Sequence, residues 1–281
     1  MTLLLLRYAE IGLKSTPVRR RFESVLKDNL LNRLMEDGVE ALVTSRGARF
    51  YVETTDIDAA VASVRRVFGI ASLSVVEECS SKMEDMCQTG AEYSKNRLGE
   101  GQSFAVKARR EGSQGYTSLD MGKEIGSAIF LANEDKGVKV DLTNPDVVFY
   151  VEARDNRAFI FQDYIRCHAG LPVGTQGKVV AEIDGSDRSY VSAWLMMKRG
   201  CRVLIKGDYD YSILKQYDTY LRPYDPGKEP MNKMLGYVLG SDLDNVGSVD
   251  VSQYEIPVFF PTIGMTDTEV TEIMDVIKAG L

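Results

Sequence analysis

Apolar positions in the first quarter of the chain follow two periods. Leu3 to Leu6 form an unbroken run of buried-strand length. From Pro17 to Met35, Phe22, Val25, Leu26, Leu30 and Leu34 recur at helical spacing, and Gly38 stops the pattern as a C-cap glycine does. Ala48 to Glu53 alternates with the period of a strand. Ile57, Ala60, Val61, Val64 and Val67 share one helical face between Ile57 and Phe68, and Leu73 to Val76 reads as a last strand. The order β-α-β-β-α-β predicts a ferredoxin-like unit over residues 1–77.

Residues 78–168 read as a second unit. Met83 to Leu98 is helical. Ser103 to Ala108 is a strand that ends in a basic run, Lys107, Arg109 and Arg110. Ser118 to Ala132 is a helix with Ser118 as N-cap, and Val147–Ala153 and Ala158–Tyr164 are strands around the turn signal Asp155-Asn156. Residues 169–177 are Gly/Pro punctuation and read as a linker. Residues 178–281 read as a Rossmann-like unit: strand Lys178–Ile183, loop Asp184–Ser189, helix Tyr190–Arg199, strand Arg202–Ile205, a helix near Pro230–Leu235, strands near Tyr237–Leu239 and Ile256–Phe260, and a last helix opened by Thr266. Alternating β and α implies a parallel sheet with helices on both faces.

Composition narrows the class. The 281 residues are 44% hydrophobic and 27% charged, ordinary for a globular chain and unlike a disordered or disulfide-dense one. A net charge of −7 gives no global basic field. The balance is uneven, however: +1 over residues 1–77, −3 over 78–168 and −5 over 169–281. Positive charge able to meet a phosphate backbone is therefore local to the first two units. Met1 to Arg7 is too short for a signal or a membrane span, which leads us to expect a cytosolic protein with no membrane partner. Cys79, Cys87, Cys167 and Cys201 form no CxxC pair, and with one histidine, His168, a Cys/His zinc site is not expected.

A strand, loop and helix at 178–199 is where an α/β sheet binds phosphates, because backbone N–H groups and the helix dipole face the ligand. The loop Asp184-Gly185-Ser186-Asp187-Arg188-Ser189 has one glycine and two aspartates. Aspartates cap a helix well but repel a phosphate, and Arg188 offers a partial offset. A phosphate cradle and an ordinary βα turn with acidic capping are both open readings, and the aspartates favour the second.

The segment from Gly170 to Cys201, with its WLMMKRG run, resembles the junction and first β-α unit of tRNA 4-thiouridine synthetases (tRNA sulfurtransferases). RYAEIGLKS resembles that family's N-terminus. FAVKARREGSQGYTSLDMGKEIGSAI followed by VDLTNPDVVFYVEAR resembles its RNA-binding THUMP domain, and IPVFFPTIGMTDTEV its PLIGMDKEE-type segment. The resemblance implies an α/β fold with an α+β N-terminal half: a ferredoxin-like domain at 1–77, a THUMP domain at 78–168 and a shortened PP-loop domain with a parallel sheet at 169–281. The family's SGGxDS loop maps onto DGSDRS, so Gly185 and Ser189 match while Asp184, Ser186 and Arg188 depart. Its second nucleotide-site segment maps onto Leu239–Asp250, keeping Gly240 but placing Asn245 and Val249 where the family has glutamines. The stretch from Gly207 to Pro230 is also shorter, and the family's cysteine beyond the last helix, like the rhodanese-like extension of some members, is not in this sequence.

The family's chemistry, as the resemblance implies it, uses ATP and Mg²⁺ to adenylate a uridine oxygen in tRNA. A persulfide sulfur delivered from a cysteine desulfurase then displaces AMP. Nucleotide-site positions carried over are Ile183, Asp184, Gly185, Ser186, Ser189 and Gly240. For sulfur chemistry Cys201 reads as a core residue, Cys167 beside His168 is the other candidate, and Cys79 and Cys87 have no activating neighbour. No catalytic residue and no metal ligand is assigned. Candidate tRNA contacts are Lys107, Arg109 and Arg110, with Arg7, Lys14 and Arg19, Arg20 and Arg21; Tyr116 and Tyr164 are either base-stacking or core residues. Asp141–Asp146 reads as a turn, and Thr262–Met265 as positioning the last helix. Three functions follow as expectations: a tRNA-binding protein without its own adenylation chemistry, working with a separate catalytic protein or standing as a remnant paralogue; an active tRNA sulfurtransferase with a variant loop; or an enzyme or binder for another small ligand in the altered pocket. A homodimer is also implied by the resemblance.

Overall fold

The computed structural model describes residues 2–280. Strands β1 (Thr2–Arg7), β2 (Ala41–Arg46), β3 (Arg49–Thr54) and β4 (Ser72–Ser80) alternate with helices α1 (Thr16–Glu36) and α2 (Ile57–Arg65), in the β-α-β-β-α-β order the apolar periods predict. Gly47 and Ala48 both take φ of +58°, the pairing that a two-residue β2–β3 hairpin requires. Helix α1 ends through Gly38, whose φ is +70°.

The chain continues with α3 (Met83–Ser94), β5 (Ser103–Glu111), α4 (Ser118–Ala132), β6 (Lys139–Val140), β7 (Val147–Arg154), β8 (Arg157–Phe161) and β9 (Ile165–Arg166). The first sheet runs β2-β3-β1-β4-β8-β7-β5-β6, with β9 paired to β4. Two corrections arise here. Strand β5 does not end at Ala108. It continues through the basic run to Glu111, because β7 pairs with it in parallel register as far as Arg154. And the N-cap of α4 is Thr117, not Ser118: Thr117 and Asp120 form a reciprocal capping box.

The last segment holds β10 (Lys178–Glu182), α5 (Asp187–Lys198), β11 (Arg202–Lys206), α6 (Ser212–Lys215), β12 (Arg222–Pro223), β13 (Tyr237–Val238), β14 (Val258–Phe259) and α7 (Asp267–Ala279). Its sheet, β12-β11-β10-β13-β14, is parallel throughout. Helix α5 begins at Asp187, three residues earlier than its apolar pattern suggests. The expected helix near Pro230–Leu235 is a single 3-10 turn at Met231–Lys233.

Compactness divides the chain into two units. The first comprises the chain up to Leu5, Thr44–Ile57 and Ser74–Ile165. One face of its sheet, with Phe104, Phe149, Val151 and Ile160, packs against Met86 of α3 and Met121, Ile125 and Ile129 of α4. On the opposite face, Leu3, Leu5, Tyr51, Val76, Phe159 and Phe161 form a smaller apolar cluster.

The second unit comprises Leu6–Val43, Asp58–Leu73 and the chain from Arg166 onward, so α1 and α2 belong with the parallel sheet. Asn29 of α1 donates to the Val173 carbonyl at 3.1 Å, and Phe68 stacks on Tyr217 with centroids 5.6 Å apart. Residues 169–177 turn through Gly170, Gly174 and Gly177, all at positive φ, yet Leu171, Val173 and Thr175 are buried: this segment is packed structure and not a loose linker. Helices α5 and α7 cover the face of the parallel sheet bearing Val179, Ala181, Val203 and Ile205. The other face, with Val180 and Leu204, is covered by Tyr224, Met231, Met234 and Ile256 from loops and the 3-10 turn, so helices on both faces is not what forms.

Candidate functional site

In the first unit the charged positions of β5 and β7 meet in pairs. The register sets Lys107 beside Tyr150, Arg109 beside Glu152 and Glu111 beside Arg154. Side chains alternate across a strand. Lys107, Arg109, Tyr150 and Glu152 therefore share the face opposite the one that α3 and α4 cover. Lys107 and Arg109 are exposed, and neither has an ion-pair or hydrogen-bond partner among the described residues. Arg110, on the other side of the strand, donates to the Gly112 and Gln114 carbonyls at 2.9 and 3.3 Å.

Two depressions adjoin this row. One, of about 470 Å³, is lined by Lys107, Arg109, Tyr150, Glu152 and Tyr164. The Tyr164 ring stands edge-on to Tyr150 and Phe161, with centroids at 4.8 and 5.1 Å. The other, of about 350 Å³, is lined by Arg49, Arg109, Arg110, Glu152 and Arg154 among others. Arg154 pairs with Glu111 at 2.5 Å and with Glu152 at 3.5 Å. Arg49, Glu152 and Arg154 were not named by the sequence reading; only strand register brings them beside the basic run. Tyr116 turns out to be tied down, its hydroxyl donating to the Ser81 carbonyl at 2.6 Å against the α3–α4 core.

The remaining cationic candidates belong to the second unit. Arg7 is buried, which removes it from any exposed phosphate-binding surface. Lys14, Arg20 and Arg21 are exposed; Arg19 is half-buried, with Glu23 at 3.9 Å.

The loop after β10 lies beside β13, where the strand order changes direction, the place where parallel sheets bind ligands. The structure brings Asp184, Gly185, Ser186, Ser189 and Gly240 together there. Ile183 instead buries its side chain in the core. One oxygen of Asp184 accepts both the Ser186 N–H, at 2.9 Å, and the Ser186 hydroxyl, at 2.6 Å. Burial pushes the Asp184 carboxyl up, but the hydrogen bonds from Ser186 and Ser189 outweigh it and hold the group below the usual carboxylate range. It is ionised at neutral pH. The Ser189 N–H is capped by Ser186.

Two close approaches fill the space around this loop. A Cβ on Gly185 would lie 2.6 Å from the Tyr209 ring, and one on Gly240 would lie 2.4 Å from the Ser189 nitrogen. Arg188 does not offset the acidic loop. Its guanidinium donates to the Thr262 and Met265 carbonyls and to Asp267 at 2.7 Å, and lies 3.4 Å from Asp242. These residues do not fit a nucleotide phosphate chain. The loop N–H of Ser186 is already bonded to a carboxylate. A phosphate charge about 4 Å from it would be repelled by about 1 kcal/mol in water and about 4 at surface-like dielectric. Among the described residues no cluster of His, Cys, Asp and Glu could hold a metal ion, and no helix is long and apolar enough to cross a membrane.

All four cysteine thiols are raised above the ordinary thiol range. Burial pushes Cys167 up to about 12, while the His168 ring packs among Phe68, Trp194 and Tyr217. Burial also raises Cys79, Cys87 and Cys201. A raised thiol is a poor nucleophile because the thiolate is the reactive form.

Comparison with known proteins divides the chain by sequence, so that the first match falls across both compact units. Residues 3–74 match the family model for the ThiI ferredoxin-like domain, and residues 80–163 match the THUMP domain. A probable tRNA sulfurtransferase of Methanosarcina acetivorans is 30% identical over 327 aligned positions, covering 96% of this chain and 79% of the relative. That alignment is longer than the chain itself, so the relative carries residues that this chain lacks. Among solved structures, PH1313 from Pyrococcus horikoshii superposes with a TM-score of 0.82 at 26% identity, each chain covered in full. A 4-thiouridine synthetase in complex with RNA and bound ATP superposes with a TM-score of 0.79 at 23% identity, covering 99% of this chain and 85% of that one, a likeness of fold.

Proposed function

Because this chain belongs to the tRNA sulfurtransferase family, we propose that it is a tRNA-binding member that does not itself carry out the family's ATP-dependent adenylation. The observation that carries the proposal is the Asp184 carboxylate bonded to the Ser186 N–H inside the loop where the family's pattern calls for a phosphate cradle. An ionised carboxylate there opposes both the triphosphate and the charge that develops on phosphoryl oxygens during transfer. The raised thiols speak against a persulfide step on this chain in the same way. Lys107 and Arg109, exposed and unpaired on an open sheet face, are suited to a phosphate backbone, and the RNA-bound relative of the same fold supports RNA as the ligand. In this reading a separate catalytic protein supplies the chemistry, and the protein is a cytosolic homodimer.

The test is a paired titration of the purified chain with ATP·Mg²⁺ and with bulk tRNA at two salt concentrations. The expected result is tRNA binding that weakens with salt and no saturable ATP binding. ATP binding abolished by Gly185→Glu would overturn the proposal in favour of an active sulfurtransferase with a variant loop. Binding of neither ligand would overturn the tRNA reading as well.

A further inference from the structure

Strand β6 stops after two residues. The Asp141 carboxylate accepts the Thr143 and Asn144 N–H groups at 2.8 and 3.0 Å, a side-chain turn that leads the chain away from β5. β6 therefore pairs only with Ser103 and Phe104, while on its other side β5 is paired to β7 from Phe104 to Glu111. Among the described residues no strand borders β5 beyond Phe104 on the β6 side. The Gln102 and Phe104 carbonyls point to that side, where they accept the Lys139 and Asp141 N–H groups at 3.0 Å. Backbone groups alternate in direction along a strand, so Val106, Ala108 and Arg110 turn their N–H and C=O groups to the bare edge. Such an edge is a template for another strand.

Beside this edge lies an apolar groove of about 820 Å³ between α4 and the segment from Val140 to Leu142. Val106, Leu119, Leu131, Val140 and Leu142 help to line it, and Lys123 is the one charged residue in its lining. Leu119 is 81% exposed and Leu142 77%. Apolar side chains gathered at an open edge mark an interaction surface. Charge says what fits it. On the opposite face of β5, Lys107 and Arg109 stand exposed along the same edge. A second copy of β5 paired there in antiparallel would set these cations against themselves, and like charges opposed across a strand pair are destabilising. A strand with carboxylates on that face is attracted instead.

We propose that the bare edge of β5 is a docking site for an extended segment of a partner protein in which apolar and acidic residues alternate. The segment continues the sheet. Its backbone pairs with Val106, Ala108 and Arg110, its apolar side chains enter the groove beside α4, and its carboxylates lie next to Lys107 and Arg109. The two-residue period of a strand sends the two sets of side chains to opposite faces.

The test follows fluorescence polarisation of a labelled octapeptide of alternating valine and glutamate, titrated with the unchanged protein, Leu119→Asp and Leu142→Asp. Melting curves run in parallel to show that each variant is folded. The expected result is binding about tenfold tighter than that of an octapeptide of alternating valine and lysine, the scale of two cross-strand charge pairs. Each aspartate variant weakens the valine–glutamate peptide about tenfold, because a carboxylate enters the apolar groove. Methylating the backbone nitrogens of the probe, either at every valine or at every glutamate, reads the pairing itself. Successive N–H groups of a strand point to opposite edges, so one set of methyl groups abolishes binding and the other leaves it within about threefold. No binding by the folded protein, equal binding of the two peptides, or equal effects of the two methylation sets overturns the inference. Two further outcomes reassign the groove and overturn it as well. Leu119→Asp weakening tRNA binding in a protein that ignores the peptide makes the occupant RNA. Leu119→Asp converting a sedimenting dimer to a monomer makes it a second copy of this chain. The inference does not rest on the tRNA reading, and tRNA binding without peptide binding overturns it alone.

Discussion

Two regions of this molecule bear charged groups where a phosphate could be met, and they dispose of them in opposite ways. On the open face of the first sheet, Lys107 and Arg109 project without an ion-pair partner among the described residues, although Glu152 is their neighbour in register. At the head of the parallel sheet the nearest cation, Arg188, directs its guanidinium to two carbonyls and two carboxylates, while Asp184 accepts the loop N–H that an anion would need. What separates an anion site from a structural turn is not the number of charges nearby. It is which donors remain available after the protein's own acceptors are satisfied.

The contrast can be broken from either side. The largest expected effect is at Gly240, whose backbone lies against the first turn of α5. Gly240→Val sets a side chain 2.4 Å from the Ser189 nitrogen, and backbone cannot move aside as a flexible side chain can. We expect a loss of about 3 kcal/mol, read by urea unfolding through Trp194, the only tryptophan, which is buried in this unit's core. On the open face, Lys107→Ala combined with Arg109→Ala should weaken tRNA binding about thirtyfold and reduce the slope of log K against log salt by about 2. An unchanged salt slope would remove the two residues from the interface.

Arg188→Ala should cost about 2 kcal/mol, because its hydrogen bonds to the Thr262 and Met265 carbonyls and to Asp267 are lost together. The urea midpoint measures it. If the variant instead binds tRNA more weakly at unchanged stability, Arg188 belongs to an interface and not to a clamp. The smallest effect at neutral pH concerns Cys167. Its thiol is raised to about 12 from an ordinary value near 9, so the folded state favours the neutral form. That contribution is fully present below pH 9 and is lost as the pH climbs from about 9 to about 12. Tyr217, raised to about 12 from 10, loses its share in the upper part of the same window. Cys167→Ala should flatten the alkaline limb of the stability curve. In the unchanged protein Cys167 should resist a thiol reagent at pH 8 until it unfolds, and rapid labelling of the folded chain would reopen it as a sulfur carrier.

Legibility differed between the regions for physical reasons. The runs of Leu3–Leu6 and α1 are long and strongly periodic, and they folded as their spacing implies. Strand β5 was read too short because Lys107, Arg109 and Arg110 interrupt the apolar pattern; hydrogen bonding to β7, a partner some forty residues away, extends it. The start of α5 was missed because Asp187 and Arg188 carry no apolar period, although Ser186 with the Ser189 N–H is a local cap. Arg7 looked like a surface cation flanking a strand, but it is enclosed. Glu152 gave no signal at all, since only the parallel pairing of β5 with β7 sets it beside Arg109.

The sequence alone therefore determined what depends on short range: the periods of the helices and strands, the caps at Gly38 and Thr266, and the acidic DGSDRS loop between β10 and α5. Tertiary structure decided which groups remain available. It turned Arg188 toward Asp242 and Asp267, closed Asp184 onto Ser186, raised the Cys167 thiol and left Lys107 and Arg109 open beside Glu152. Hydrogen-bond partners and burial are set by residues distant along the chain. No local pattern can state whether a charge is already satisfied.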